Sequence, residues 1–316
     1  MRRITIAALA SGLTVAVIVA CVSVLLRQPP AAHSQSAALT GDSCGHPDRP
    51  ARYIGVITPG PPGGADLAGF IRQTGVRPSI VPYFVSFGSP WNPVPACRIL
   101  RAGALPVIQV NPRKVSLSAI AAGHRDAYLA RYAQHVRAFR APLVISFGHE
   151  MNGYWYSWGH RHTSPAVFVA AWRHIVTVFR RQGADNVTWL WTINIIDRRG
   201  GIPSPGPWWP GASFVDWVGI DGYYYKPSWS FAPLFGPTIR AVRALTLDPI
   251  LITETAVAPA AGQAAKIADL FAGVRAYGLL GFVWFNCTGF RDWRLTNPAA
   301  IAALRQGATV SAGSAS

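Results

Sequence analysis

Eight short apolar runs mark the chain at 53–58, 79–87, 105–110, 143–147, 187–192, 215–220, 250–253 and 281–285. They are rich in β-branched and aromatic residues and nearly continuous rather than alternating, as strands covered on both faces are. The spacers between them carry helical patterns. Residues 66–75 open on Asp66 as a cap and stop on Gly75. Residues 127–139 place Tyr128, Tyr132, Val136 and Phe139 on one helical face. Ser164-Pro165 begins a helix with a capping hydroxyl and a proline in the first turn, and 233–245 and 263–277 repeat the pattern. Residues 197–214 are full of Gly and Pro and predict at most a short helix.

Strands alternating with helices in this number and order predict an α/β fold, a (β/α)8 TIM barrel spanning 51–306. A doubly wound sheet is the rival, and it usually carries a Gly-rich phosphate loop after its first strand. Here the first run leads into Thr58-Pro59-Gly60-Pro61-Pro62-Gly63-Gly64. Its prolines remove the backbone N–H donors such a loop needs.

Outside the barrel the composition changes. Arg2-Arg3 precede an uncharged, mostly apolar run from Ile4 to Leu26. Residues 1–27 therefore read as a signal peptide or a signal anchor, which places the domain outside the cytoplasm, secreted or held at the membrane. Residues 28–50 are rich in Ala, Ser and Pro and read as a linker, and 307–316 as a disordered tail. In an oxidising compartment Cys44, Cys97 and Cys287 allow one internal bridge. Cys44–Cys97, tying the segment before the barrel to it, is the pairing we favour. No cysteine or histidine spacing forms a metal signature, and no organic cofactor is implied. We expect a monomer.

The charge adds little. Lys and Arg number 29 against 13 Asp and Glu, for a formal net charge of +16. The arginines are scattered and no nucleic-acid motif accompanies them, so an anionic cell surface or plain compositional bias explains the excess. Twelve Trp and ten Tyr suit stacking against sugar rings, although many must fill the core.

The acids carry the chemistry. Only Glu150 and Glu254 are glutamates, and each closes an apolar run. Both project from the C-terminal rim of a barrel, where such folds place their active sites. A pair of carboxylates there suggests glycoside hydrolysis, one acid protonated and the other ionised.

The segment His149-Glu150-Met151-Asn152-Gly153, followed by Trp155-Tyr156 and Trp158-Gly159, resembles the acid/base motif of glycoside hydrolase family 26, the β-mannanase family of clan A. The resemblance covers about residues 50 to 305. It implies a retaining endo-β-glycosidase acting on a polysaccharide, with β-mannan first and mixed-linkage β-glucan or β-1,3-xylan next. A non-catalytic polysaccharide-binding barrel of the envelope is the alternative. By the same resemblance Glu150 is the acid/base and Glu254 the nucleophile. His149 bonds near the nucleophile or substrate, Trp155 walls the acid/base side, Tyr223 holds Glu254, and Trp284 is the platform under the sugar. Asn194, Asp221 and Asn286, at strand ends, are candidates for bonding sugar hydroxyls. Phe285 stands where mannanases often carry Arg, a departure that bears on mannose specificity.

Overall fold

The computed structural model describes residues 40–313, apart from 48, 49, 198, 227, 258–261, 289 and 290. Eight parallel strands close in sequence order into a barrel. They are β1 (Tyr53–Ile57), β2 (Ile80–Ser86), β3 (Leu105–Asn111), β4 (Leu143–Phe147), β5 (Val187–Asn194), β6 (Trp217–Asp221), β7 (Ile250–Thr255) and β8 (Gly281–Phe285). The helices are α1 (Ala65–Thr74), α2 (Pro93–Arg101), α3 (Leu117–Ala121), α4 (Asp126–Phe139), α5 (Pro165–Arg181), α6 (Phe231–Arg243), α7 (Gln263–Ala276) and α8 (Pro298–Gly313). The (β/α)8 expectation is met.

Closure rests on β1 and β8, paired from Tyr53↔Gly281 to Ile57↔Phe285. Gly281 has φ +147°, and a Cβ there would collide with the Tyr53 backbone. Only glycine lets the last strand approach the first this closely.

Register separates the two faces of the sheet. Trp189 lies against Trp172 and Phe179 of α5, so odd positions of β5 face the helices and Leu190, Thr192 and Asn194 face the barrel axis. Pairing carries this parity around the sheet. Phe84, Gln109 and Ser146 share the inner face, and so do Gly55, Val283, Ile57 and Phe285. Ser146 Oγ donates to Thr192 Oγ1 at 3.1 Å inside the barrel. The outer face is sealed by helix stripes such as Phe168, Trp172, Ile175 and Phe179 of α5.

Helix ends follow the expected signals, with one exception. Ser164 Oγ accepts from the Val167 N–H at the start of α5. Asp66 is not the cap of α1: Gly64 occupies that position and makes no side-chain bond, so Asp66 serves in the first turn, facing the positive helix end. Residues 197–214 hold only two short turns, Gly206–Trp208 and Ala212–Phe214.

Two expectations about the ends change. The tail was expected to be disordered from 307, yet α8 continues to Gly313, and Leu304 and Ser311 of it are buried. The linker was expected to reach 50, yet Gly41–Ser43 forms a turn of 3-10 helix and Cys44 is bridged to Cys97 of α2. Gly41 packs on Phe139 and Ala141, just before β4. The apolar run 4–26 lies outside the described residues. Among the described residues no helix is long and apolar enough to cross a membrane.

Replacing Gly281 by Ala should destabilise the fold by at least about 2 kcal/mol through the forced separation of β1 and β8. The midpoint of urea unfolding measures this, and an unchanged midpoint would contradict the proposed closure constraint.

Candidate active site

Glu150 sits one turn past β4 with φ 55°, a left-handed backbone that glutamate rarely adopts. The conformation costs about 1–3 kcal/mol and persists only where neighbours enforce it. Those neighbours come from the motif itself. The Glu150 N–H donates to Thr192 O on β5 at 2.9 Å, and its carbonyl accepts from Gly153 N–H at 2.8 Å. Trp158 Nε1 donates to His149 O at 2.7 Å. Tyr156 stacks on Trp158 with centroids 4.2 Å apart and rings 9° from parallel. Gly153 is needed because the Trp155 ring folds over it, where a Cβ would collide.

The carboxyl of Glu150 is fully buried and held by two neutral donors. Asn194 Nδ2 donates to Oε1 at 2.5 Å, and Trp155 Nε1 donates to Oε2 at 2.8 Å. Burial pushes its pKa up to about 7, against the lowering effect of these two bonds. Asn194 is in turn fixed by Asn152. The Asn152 Nδ2 donates to Asn194 O, and its Oδ1 accepts from Asn194 N–H, both at 2.9 Å. This two-point clamp joins the β4 loop to the end of β5.

Glu254 reaches the inner face through an irregularity in β7. Gly219 pairs with Leu251, but Asp221 pairs with Glu254, one residue out of step. The extra residue is a bulge of the kind that re-aims side chains beside active sites. It lets Thr253 and Glu254 both meet groups of β6 and its loop. Thr253 Oγ1 donates to Asp221 Oδ1 at 2.6 Å, and Tyr223 Oη donates to Glu254 Oε2 at 2.7 Å. Asp221, buried like both glutamates, has its pKa raised first by burial and then by the charges of Glu254 and Glu150. Tyr156 and Tyr225 feel both glutamates as well, after burial. The two carboxylates therefore act on one shared space at the C-terminal mouth.

The remaining sequence candidates separate here. His149 is buried, with Nε2 3.2 Å from Tyr156 Oη and its ring beside Phe84. Burial, and then the charge of Arg113, pull its pKa down to about 3, so it is neutral throughout the physiological range. Trp155 walls the acid side, half-buried. Asn194 bonds Glu150, a role that expectation had given to sugar hydroxyls. Asn286 spends its Oδ1 on the Leu295 N–H and shapes the loop after β8. Trp284 is the main correction. It pairs with the outward-facing Val56, is completely buried and donates Nε1 to Trp293 O. The register turns Phe285, beside Tyr223, inward at that strand end.

Sequence reading assigned no role to Asn152, nor to Gln109, Asn111 and Arg113. The last three were visible as a polar residue at every second position, where β3 runs out into its loop.

The profile of Glycosyl hydrolase family 26 matches residues 122–267. Endoglucanase H of Acetivibrio thermocellus is 31% identical over 262 residues, 78% of this chain and 29% of that protein. These matches support assignment of the chain to glycoside hydrolase family 26. Mannan endo-1,4-beta-mannosidase A and B of Caldalkalibacillus mannanilyticus is 30% identical over 86 residues, 25% of this chain and 16% of that protein. The chain thus spans less than a third of the length of either relative. Among solved structures, an endo-beta-1,4-mannanase from Cellulomonas fimi superposes with a TM-score of 0.60 at 17% identity, covering 81% of this chain and 70% of that one.

Because the Glu150 carboxyl has a raised folded-state pKa, its contribution to stability is full below the ordinary 4.5 and is lost as pH rises through about 7. Glu150→Gln removes that pH dependence. Its stability relative to the parent should improve between pH 4.5 and pH 8 by on the order of 3 kcal/mol. Thermal unfolding at the two pH values checks this; a constant difference would place the perturbed carboxyl elsewhere.

Proposed function

We propose that this chain is a retaining endo-β-glycosidase that cleaves a β-linked glucan backbone outside the cytoplasm. The observation that carries the reaction is the pairing of unlike environments at one mouth. Glu150 is buried among neutral donors and protonated near neutrality, while Glu254 accepts a phenol hydrogen bond that favours its ionised form. Glu150 gives its proton to the glycosidic oxygen as Glu254 attacks the anomeric carbon, and the aglycone leaves. Esterification of Glu254 removes a negative charge from the mouth, so Glu150 ionises more readily. It then takes a proton from the water that hydrolyses the glycosyl-enzyme. Asn194 and Trp155 stabilise the carboxylate form of Glu150 in this second half, and Asn152 positions Asn194.

Glucan is favoured because the endoglucanase relative matches most of the chain, and because Phe285 occupies the inward end of β8. β-Mannan is the second reading, favoured by the shorter match to a mannosidase. The Cys44–Cys97 bridge supports an oxidising compartment.

Reducing-end release from β-glucan, β-mannan and β-1,3-xylan tests the reading. Activity should be highest on one glucan and absent in Glu254→Ala, and Glu150→Ala should lose about 10²–10⁴-fold on unactivated substrate. NMR of the first-formed sugar should show the β anomer. Turnover that survives Glu254→Ala, or a first-formed α anomer, overturns the assignment. The basic limb of kcat/KM should lie near pH 7. Asn194→Ala removes a bond that favours the charged form, so that limb should move to higher pH; a move to lower pH would remove Asn194 from this role.

A further inference from the structure

One wall of the mouth holds polar groups that neither the fold nor the double displacement uses. Gln109 and Asn111 lie on the inner face of β3, in register with Phe84 and Ser86 of β2. Both are buried to within 1%. Neither Nε2 nor Oε1 of Gln109, nor Nδ2 nor Oδ1 of Asn111, has a hydrogen-bond partner. Two complete amides left this way are costly, on the order of 1–3 kcal/mol for each orphaned group. Ser146 and Thr192, on the same inner face, satisfy each other.

Arg113 follows two residues later, in the turn after β3, where its N–H donates to Asn111 O at 3.0 Å. It is half-buried, but its Nε and Nη2 are closed off from solvent and also lack partners. These two atoms form the side-on edge of the guanidinium, whose parallel N–H bonds match two oxygens of a planar anion. The same chain shows that edge in use: Arg294 Nε and Nη2 hold the two carboxylate oxygens of Asp292 at 2.9 and 2.7 Å. Among the described residues no acid meets that edge of Arg113. Its guanidinium lies 6.0 Å from the Tyr156 ring centroid and its charge is felt by His149 and Tyr156. Tyr156 is also under the influence of Glu150 and Glu254. These residues therefore border the reacting space, and Arg113 brings a cation to a mouth that carries three acids, Glu150 after the adjacent β4 and Asp221 and Glu254 on β6 and β7.

We propose that Gln109, Asn111 and Arg113 form a subsite for a sugar unit that bears a carboxylate, a hexuronate within the β-linked backbone. Arg113 seats the carboxylate side-on, and the two amides bond the ring hydroxyls of the same unit. A neutral hexose can offer two vicinal hydroxyls to the same edge, but only a carboxylate adds the opposite charge that makes the paired bonds strong. The proposal rests on the glycan-cleaving reading for the position of the subsite, but not for its chemistry.

The test uses the intact chain and two oligosaccharides, a neutral β-1,4-glucan and its C6-oxidised form, in which CH2OH groups are carboxylates. Calorimetry measures binding, so the outcome does not depend on turnover, and hydrolysis is followed alongside. The oxidised sugar should bind roughly tenfold tighter or more, a preference of the size a bidentate charged bond supplies. The ratio should fall to about one in Arg113→Ala. Arg113→Lys keeps the charge without the fork and should retain only part of the ratio; it also serves if the alanine variant does not fold. Equal or tighter binding of the neutral sugar overturns the proposal. So does a preference that survives in Arg113→Ala, or an O-sulfated oligosaccharide binding more tightly than the oxidised one. Preference without hydrolysis counts against the proposed reaction and leaves the subsite standing.

Discussion

A carboxyl group removed from water, yet required to change charge, is the constraint on which this molecule depends. Full burial favours the neutral acid, whereas a strong partner cation would hold the group permanently ionised. The structure supplies neither extreme. It surrounds Glu150 with neutral donors, an amide and an indole. Much of the density of aromatics after β4 then has a plain reason. Trp155 supplies a donor, while Trp158, Tyr156 and Gly153 force the backbone into the left-handed turn that brings the carboxyl to those donors. Neutral His149 belongs to the same scheme, because a second titrating group next to Glu150 would blur its proton affinity.

Most of the fold was legible in the sequence because barrel strands, covered on both faces, write themselves as uninterrupted apolar runs. The two glutamates were legible because they closed such runs in a chain that uses no others. What could not be read was parity. An apolar run does not reveal which of its residues face the axis, since both faces are buried and both are apolar. Trp284 and Phe285 therefore exchanged places: pairing with Val56 turns the tryptophan outward and leaves the phenylalanine at the mouth. The bulge in β7 is similar. The extra residue that brings Glu254 inward beside Thr253 depends on pairing with β6, which no local pattern encodes. The disorder expected from 307 gives way to helix over 307–313 for another reason, because small residues without strong periodicity can continue a helix that has a surface to lie on.

The polar row on β3 was partly visible, and its neglect is instructive. The run at 105–110 was read as a strand, with no role for the polar residues at its end. Alternation of Gln109, Asn111 and Arg113 with apolar neighbours instead marks one face of a strand whose inner side is no longer core. In a barrel, the point where the inward residues turn polar is the floor of the site.

The bridge between Cys44 and Cys97 has a bearing on how the molecule meets a large substrate. It fixes the start of the described chain beneath the barrel, where Gly41 lies against the residues leading into β4. The mouth opens at the other end of the strands. Thr40, where the described chain starts, therefore lies on the far side of the barrel from the reacting groups. The stiff cross-link pins this end of the described chain to the base of the domain, away from the mouth that a polymer strand would cross.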